Sequence, residues 1–315
     1  MRKGIDSAAY EVLAATYARE GTEVVNDEVG AYRTKTVRAG EFIYVSCYPL
    51  ISTGANQRQK ESLKELNPEK LKRDPRMKYA RYNNKRRILA FEQLVHANFG
   101  KGDLHVTLTY EVEDWSIHGT ERSRDDAKRE LTNWLARVKR LLKRHGVDIR
   151  QFRWLRTTVS KKGNYDGRYD RHHHHVLLGG VPEELRSDIE RLWSFGYCNA
   201  DRLQPNGKGI TEIAQYIARQ EGSANGTHAS FEKSWSGSRN LKKPKITTSD
   251  SRISRRRVGK IAADVRVDGI SIFESIYPGY RAVEPPEVAI SDFCAGAYIR
   301  AKLRRFDYAE RGGEK

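Results

Sequence analysis

The chain has few of the residues and patterns on which several protein classes depend. Its three cysteines, Cys47, Cys198 and Cys294, are too few and too scattered for a disulfide framework or a cysteine zinc site. It has no run of about 18 apolar residues that would cross a bilayer, and no lipidation signal. The nearest approach to a phosphate-binding loop is PNGKGIT, which lacks the GxxxxGKT spacing. We therefore expect a protein of the reducing cytoplasm with no membrane partner and no ATPase activity.

Acidic residues are also in the minority. The chain holds 58 Lys and Arg against 41 Asp and Glu, which gives a net charge of +17. An excess of this size indicates an anionic partner, and nucleic acid is the first choice. Basic residues are concentrated at 56–90 and at 231–260. The first segment is either a solvated, partly helical arm or an element that follows a phosphate backbone.

Hydrophobic periodicity predicts one packed domain at 87–230, between an N-terminal extension with a basic arm at 1–86 and a basic C-terminal extension at 231–315. Strands are predicted at 104–110, 152–160, 172–178 and 196–203, and helices at 123–146, 182–193 and 210–220. This order predicts an α+β fold, with an antiparallel sheet of about five strands in a split βαβ arrangement and helices packed on it. We expect the C-terminal extension to be flexible without its partner, although Trp235, Phe273 and Tyr277 allow some packing.

The most informative segment is RHHHHVLLGG at 171–180. Side chains alternate across a strand, so His173 and His175 lie on one face and His172 and His174 on the other. The apolar residues that follow indicate a buried strand rather than a purification tag. Two imidazoles at this spacing suit one divalent metal ion, although histidines at a strand end also serve simply as hydrogen-bonding groups.

A tyrosine stands on the helix predicted for TEIAQYIARQ at 211–220. The buried stripe of this helix consists of Ile210, Ile213, Ala214 and Ile217. Tyr216 therefore lies at the border of the stripe, with Arg219 one turn further on. Attack by a phenol on a phosphodiester requires a polarised phosphate and a fixed positive charge. Tyr216 and Arg219 are thus a candidate nucleophile and its phosphate-holding partner, unless Tyr216 simply packs its ring in the core.

Taken together, these segments resemble the HUH endonuclease superfamily, and specifically the rolling-circle replication initiator (Rep) proteins of bacterial plasmids and phages. HVTLTY at 105–110 is similar to the first motif of that family, and HHH at 173–175 followed by VLL is similar to its histidine-hydrophobic-histidine metal motif. Tyr216-Ile-Ala-Arg219 is similar to its catalytic Tyr-x-x-Lys. The flanking segments HANFGKGD at 96–103 and SRNLKKP at 238–244 also look like such initiators, so the resemblance spans roughly residues 80–245.

The resemblance implies that His173 and His175 hold Mg²⁺ or Mn²⁺, which polarises the scissile phosphate. Tyr216 would attack that phosphate, leaving the enzyme joined to the 5′ end and freeing a 3′ hydroxyl, while Arg219 would orient the phosphate. The substrate would be single-stranded DNA at an origin hairpin in the bacterial cytoplasm, with a separate host helicase and polymerase as partners. The basic residues expected to bind DNA are Arg239, Lys242, Lys243, Arg255, Arg256 and Arg257.

The chain departs from the family pattern at three points. Arg219 stands where the family has a lysine, which keeps the charge but changes its geometry. A threonine pair at 157–158 stands where relatives often carry a carboxylate ligand, so Glu212 or Asp170 would have to supply that oxygen. Gln220 stands where a two-tyrosine member carries its second nucleophile. We therefore expect a one-tyrosine enzyme.

The sequence leaves two other functions open. A module that binds single-stranded DNA or RNA without cutting it would explain the charge, but it leaves the histidine pair and the tyrosine helix without a role. A relaxase or a transposase would use the same site chemistry. The flanking segments favour a replication initiator, and no second functional domain of a mobilisation protein is evident.

Overall fold

The structure is a computed structural model that describes residues 29–51, 75–111, 123–163, 169–222, 235–291 and 294–306. It divides into two compact units. One unit is formed by residues 1–86 together with 244–315, and the other by residues 87–243. Each unit has its own sheet and its own hydrophobic core.

The strands, in chain order, are β1 (Val29–Ala39), β2 (Phe42–Ile51), β3 (Leu104–Thr109), β4 (Arg153–Gly163), β5 (Tyr169–Gly179), β6 (Cys198–Arg202), β7 (Ser236–Gly237), β8 (Lys245–Ser249), β9 (Tyr280–Ala282), β10 (Glu287–Ser291) and β11 (Cys294–Arg305). The helices are α1 (Pro75–Asn98), α2 (Arg124–Arg144), α3 (Arg186–Arg191), α4 (Thr211–Gly222), α5 (Arg255–Ala263) and α6 (Asp268–Ile276), with a 3₁₀ turn at Glu183–Leu185. Within the described ranges, no helix is both long enough and apolar enough to cross a membrane.

The unit at 87–243 is built on an antiparallel five-stranded sheet with the order β6-β3-β5-β4-β7. β4 and β5 follow one another along the chain and pair over their whole length, from Arg153 opposite Gly179 to Gly163 opposite Tyr169. β3 lies between β5 and β6, so that both of its edges are paired. The predicted α+β class, with an antiparallel sheet of about five strands, is confirmed.

α2 covers one face of this sheet. Its first turn is capped by Ser123, whose Oγ accepts a hydrogen bond from the backbone N–H of Asp126. The helix stops just before Gly146, whose φ of 72° is in the left-handed region that favours glycine. The cluster that α2 forms with the sheet includes Leu104, Val106, Leu108, Leu131, Trp134, Val138, Leu142, Val176 and Leu178. The helix and cap predicted from the sequence are confirmed.

α1 and α4 cover the opposite face of the sheet. Their apolar side chains share a cluster with Leu155 of β4 and Leu177 of β5. The buried helix residues of this cluster are Phe91, Val95, Ala214, Ile217 and Ala218. Glu92 of α1 is also buried, and it accepts hydrogen bonds from Thr211 Oγ1 at 3.2 Å and Gln215 Nε2 at 3.0 Å. Because a buried carboxylate is stable only when it is hydrogen-bonded, these contacts tie the start of α4 to α1.

The other unit is built on a six-stranded sheet with the order β10-β11-β2-β1-β8, in which β9 also pairs with β11. α5 and α6 pack on one face of it. Their cluster with the strands includes Tyr32, Ile43, Val45, Cys47, Val258, Ile261, Phe273, Ile299 and Leu303. Inside this core, Thr36 Oγ1 and Tyr277 Oη form a hydrogen bond of 2.6 Å between residues 241 positions apart.

Strands from the described parts of the two flanks therefore share one sheet, which differs from the separate extensions expected at 1–86 and 231–315. Residues 56–74 of the predicted basic arm lie outside the described residues. β1 pairs with β8, and β2 pairs with β11, so strands from the beginning of the chain lie beside strands from its end. A search for local periodicity does not detect pairing between such distant segments. The packing allowed for the three aromatics is observed: Phe273 and Tyr277 lie in this core, whereas Trp235 packs edge-on against Phe91 in the unit at 87–243.

Candidate active site

β5 carries the histidine run, and its side chains alternate as the sequence predicted. His173 and His175 share a face with Leu177, which belongs to the cluster under α1 and α4. His175 is 3% exposed, whereas His173 is partly exposed. Their rings lie 5.1 Å apart and nearly perpendicular to each other. The predicted pair is therefore on the side of the sheet that also holds the tyrosine helix.

β3 brings a third histidine to this pair. Nε2 of His105 lies 3.2 Å from Nδ1 of His175, and the two rings stack with their centroids 5.3 Å apart. Thr107 Oγ1 lies 3.4 Å from the same Nδ1. Burial lowers the pKa of His105, although the carboxylate of Asp201 acts in the opposite direction. Sequence reasoning missed this residue, because His105 was visible only as one member of an alternating strand and its approach to His175 depends on the pairing of β3 with β5.

Tyr216 of α4 lies over the histidines. Its ring is 5.4 Å from the ring of His175 and meets it edge-on at 76°. Ala214 and Ile217 are buried on the same helix, as predicted, whereas Tyr216 is 50% exposed. Its ring therefore packs at the border of the helix rather than in the core. The strand and the helix, far apart in the sequence, bring the imidazole and the phenol together.

Arg219 is exposed on α4, one turn beyond Tyr216. Its guanidinium donates to Gln215 Oε1 at 2.8 Å, and Nε2 of the same glutamine donates to the buried Glu92. A chain of hydrogen bonds thus runs from a fixed carboxylate on α1 to the arginine. Of the two carboxylates considered as metal ligands, Glu212 is exposed on α4, and the side chain of Asp170 lies outside the described residues, as does that of Gln220.

The other two histidines of the run belong to the opposite face and have structural partners. His174 is fully buried between Tyr110 Oη and Thr158 Oγ1, each at 3.0 Å from one of its ring nitrogens. Burial, reinforced by the neighbouring histidines, lowers the pKa of His174 to about 3, so its ring is neutral. His172 shares a hydrogen bond of 2.8 Å with Ser160 Oγ. These two histidines are buried structural residues on the face of the sheet opposite the candidate site.

Two ring nitrogens on the site face lie at the spacing of two ligands of one ion. The 3.2 Å between the ring nitrogens of His105 and His175 matches the roughly 3.0–3.4 Å that separates neighbouring nitrogen ligands of one ion. Thr157 lies opposite His175, and its buried Oγ1 has no hydrogen-bond partner in the part of the chain that the structure describes. In that same part, no three His, Cys, Asp or Glu side chains are grouped so as to hold an ion. The group on this face is therefore the pair His105 and His175, with the ring of His173 beside it.

The basic residues expected to bind DNA fall into two groups. Arg239, Lys242 and Lys243 are exposed on a segment that is fixed to the unit at 87–243. Asn98 fixes this segment through the backbone of Lys242. Asn98 Nδ2 donates to the Lys242 carbonyl at 2.9 Å, and the Lys242 N–H donates to Asn98 Oδ1 at 2.7 Å. The second group, Arg255, Arg256 and Arg257, forms the first turn of α5 in the other unit, after the capping residue Ser254.

No family model, curated protein or solved structure matches this chain. Any function must therefore be proposed from the geometry of the residues themselves.

Proposed function

We propose that this protein nicks and rejoins single-stranded DNA through a covalent tyrosine intermediate, as a rolling-circle replication initiator of the HUH type. One observation carries the proposal. The half-exposed phenol of Tyr216 stands 5.4 Å from the ring of His175, whose Nδ1 is 3.2 Å from Nε2 of His105. A half-exposed phenol thus stands beside grouped imidazoles, which supports the chemistry implied by the sequence resemblance, with His105 added to the predicted pair His173 and His175.

The topology supports the same proposal. β3, α2, β4, β5, α3 and β6 follow one another along the chain, and the four strands are arranged in the sheet as β6-β3-β5-β4. This order is compatible with a split βαβ arrangement and so supports the proposal of an HUH-like sheet. Its two central strands, β3 and β5, carry His105, His173 and His175. α4 follows β6 and carries Tyr216 onto the face where these residues lie.

The residues of the chain support a transesterification. The Tyr216 oxygen forms a bond to phosphorus as the bond from phosphorus to the 3′ oxygen breaks. The phenol loses its proton and the departing 3′ oxygen gains one, so the 5′ phosphate becomes attached to the tyrosine and a 3′ hydroxyl is released. The reverse reaction rejoins the strand. Without a second tyrosine at 220, one protomer performs one such step at a time.

Neighbouring groups offset the negative charge of the phosphate. Arg219, one turn from Tyr216, holds the phosphate oxygens, and Gln215 orients the guanidinium through its bond to Glu92. His105 and His175, with His173 beside them, would hold Mg²⁺ or Mn²⁺. When bound, the ion supplies Lewis-acid polarisation of the scissile phosphate.

The exposed basic residues supply affinity that does not depend on sequence. Arg239, Lys242 and Lys243 are fixed along one segment, and Arg255 to Arg257 lie on α5 of the other unit. Such cations bind phosphates and release counterions, so affinity falls as salt rises. The partners that complete the proposal are an origin hairpin, a host helicase and a host polymerase in the bacterial cytoplasm.

A denaturing gel tests the proposal. The protein is incubated with Mn²⁺ and labelled single-stranded origin DNA, and the covalent protein–DNA adduct is measured. We expect an adduct that a chelator prevents and that Tyr216→Phe abolishes. Tyr280→Phe is the matched control, because Tyr280 is a partly exposed tyrosine of β9 in the other unit and has no role in the proposed chemistry. Retained DNA binding with no adduct on any origin-derived strand would support a binding module instead.

A further inference from the structure

An exposed aromatic residue lies at the edge of the site face and has no part in the chemistry above. Tyr197 is 68% exposed, which is more than any other tyrosine or phenylalanine that the structure describes. Large aromatic side chains are usually buried, because their transfer from water is strongly favourable. A single exposed aromatic ring is common on protein surfaces, and it is the position of Tyr197 beside the site that points to a binding role.

The position of Tyr197 follows from the sheet register. β6 pairs with β3 through Thr107 opposite Asn199 and Leu108 opposite Cys198. The next pair is Thr109 and Tyr197, because the N–H of Thr109 donates to the Tyr197 carbonyl at 2.8 Å. Residues opposite one another share a face, so Tyr197 lies on the face of His105, His173 and His175. Two strand spacings, about 10 Å, separate it from His173, which lies opposite Thr109 on β5.

The segment that carries Tyr197 is firmly held. Thr109 Oγ1 also donates to the Tyr197 carbonyl, at 3.3 Å, and the N–H of Glu111 donates to the Phe195 carbonyl at 2.8 Å. Between them, Gly196 adopts a φ of 154°, and a Cβ there would come within 2.4 Å of the Glu111 backbone N. Only glycine fits this close approach, so the backbone leading to the tyrosine is fixed by the ladder.

The neighbouring side chains define what the ring can contact. On the site face, Thr109 lies opposite Tyr197, and Asn199 is two residues further along β6, where its Nδ2 donates to the carboxylate of Asp201 at 2.6 Å. None of these side chains offers a cation to a phosphate. A nucleobase, in contrast, can stack on the aromatic ring and hydrogen-bond to the neighbouring polar side chains. A single strand whose phosphate reaches Tyr216 and the histidines would carry a nearby base to this edge.

We propose that Tyr197 is a stacking platform for an unpaired nucleobase of the single strand, next to the phosphate that is cut. The proposal rests on the proposed function for its ligand class, single-stranded nucleic acid. Stacking is tolerant of base identity, so Tyr197 contributes affinity and placement rather than origin choice. It is a positioning residue, because the ring contacts a base that flanks the reacting atoms.

Binding measured without cutting tests this role. Fluorescence anisotropy in chelator follows the binding of the full chain to short labelled oligo(dT) and to an abasic strand of the same length and charge. For oligo(dT), we expect Tyr197→Ala to bind about 5- to 100-fold more weakly than wild type, and Tyr197→Phe, which keeps the ring, to bind as wild type does. For the abasic strand, all three proteins should bind alike.

Each other outcome has a definite meaning. Equal oligo(dT) affinity for Tyr197→Ala and wild type would overturn the stacking role, and so would an equal loss by Tyr197→Ala on the abasic strand. An adduct that forms normally alongside such a result would leave the nuclease proposal standing. Conversely, a Tyr197-dependent preference for bases in a protein that never forms an adduct would retain the platform and reject the nuclease.

Discussion

At the scale of single residues, four adjacent histidines divide into two roles according to the face they occupy. His175 faces Tyr216 and His105, whereas His174 is enclosed between Tyr110 and Thr158. The alternation of a strand was enough to predict this division from the sequence. The identity of the neighbours was not, because they come from β3, β4 and α4.

The division predicts opposite consequences for neighbouring substitutions. We expect His175→Ala to abolish the covalent adduct while leaving most DNA affinity, because affinity depends on many phosphate contacts. His172→Gln, on the other face, should leave adduct formation within a few-fold of wild type. Adduct assays and anisotropy on the two variants measure both quantities. A folded His175→Ala protein that loses binding and cutting equally would contradict the assignment.

His174 should matter for stability. His174→Ala removes a fully buried ring together with its hydrogen bonds to Tyr110 Oη and Thr158 Oγ1. We expect the free energy of unfolding to fall by about 2–4 kcal/mol, from the cavity and the two lost hydrogen bonds together. His174→Gln, which keeps polar atoms at the site, should cost less. Urea denaturation measures both, and an unchanged midpoint for His174→Ala would show that the enclosure contributes nothing.

At the scale of elements, the site depends on how α4 is held. Sequence periodicity located this helix and the border position of Tyr216, and both are observed. It did not reveal that Glu92 on α1 anchors Thr211 and Gln215, because a single acid has no sequence pattern that marks it as buried. The pairing of β3 with β5, which completes the histidine group, was not predicted either, because it is a contact between distant segments.

The anchoring predicts that Gln215 acts through Arg219. Gln215→Ala removes the group that orients the guanidinium, and we expect single-turnover adduct formation to slow by about 10-fold, the equivalent of one hydrogen bond to a charged group. In an Arg219→Ala background the same substitution should have little further effect. A double-mutant cycle measures this coupling. Fully additive effects of the two substitutions would show that Gln215 does not act on the arginine.

At the scale of the whole molecule, the described residues of the two flanks, at 29–51, 245–291 and 294–306, belong to one folded unit. Its sheet joins strands from both ends of the chain, and its core encloses Cys47. The prediction for these regions rested on their excess of Lys and Arg, and it did not include the alternating strands within them. Composition therefore predicted an anionic partner but missed the second core.

Burial predicts the reactivity of two thiols, Cys47 and Cys198, one in each unit. Burial raises the pKa of Cys47 to about 12, and burial together with the carboxylate of Glu190 raises that of Cys198 to about 12 as well. A raised pKa keeps the thiol protonated below that value, and only the thiolate is reactive. We expect neither cysteine to be alkylated appreciably between about pH 7 and pH 9 in the native protein, and both to react in urea. Peptide mass spectrometry after iodoacetamide locates the modified residues, and rapid native labelling of Cys47 would contradict the enclosed core.

The central claim is that the Tyr216 oxygen attacks a phosphodiester beside the histidines. Peptide mass spectrometry of the protein after incubation with Mn²⁺ and single-stranded origin DNA, followed by nuclease digestion, tests this most directly. The account predicts a nucleotide phosphate attached to the peptide that contains Tyr216, and its absence from the Tyr216→Phe variant. A nucleotide attached to a different residue, or the same adduct in Tyr216→Phe, would contradict it.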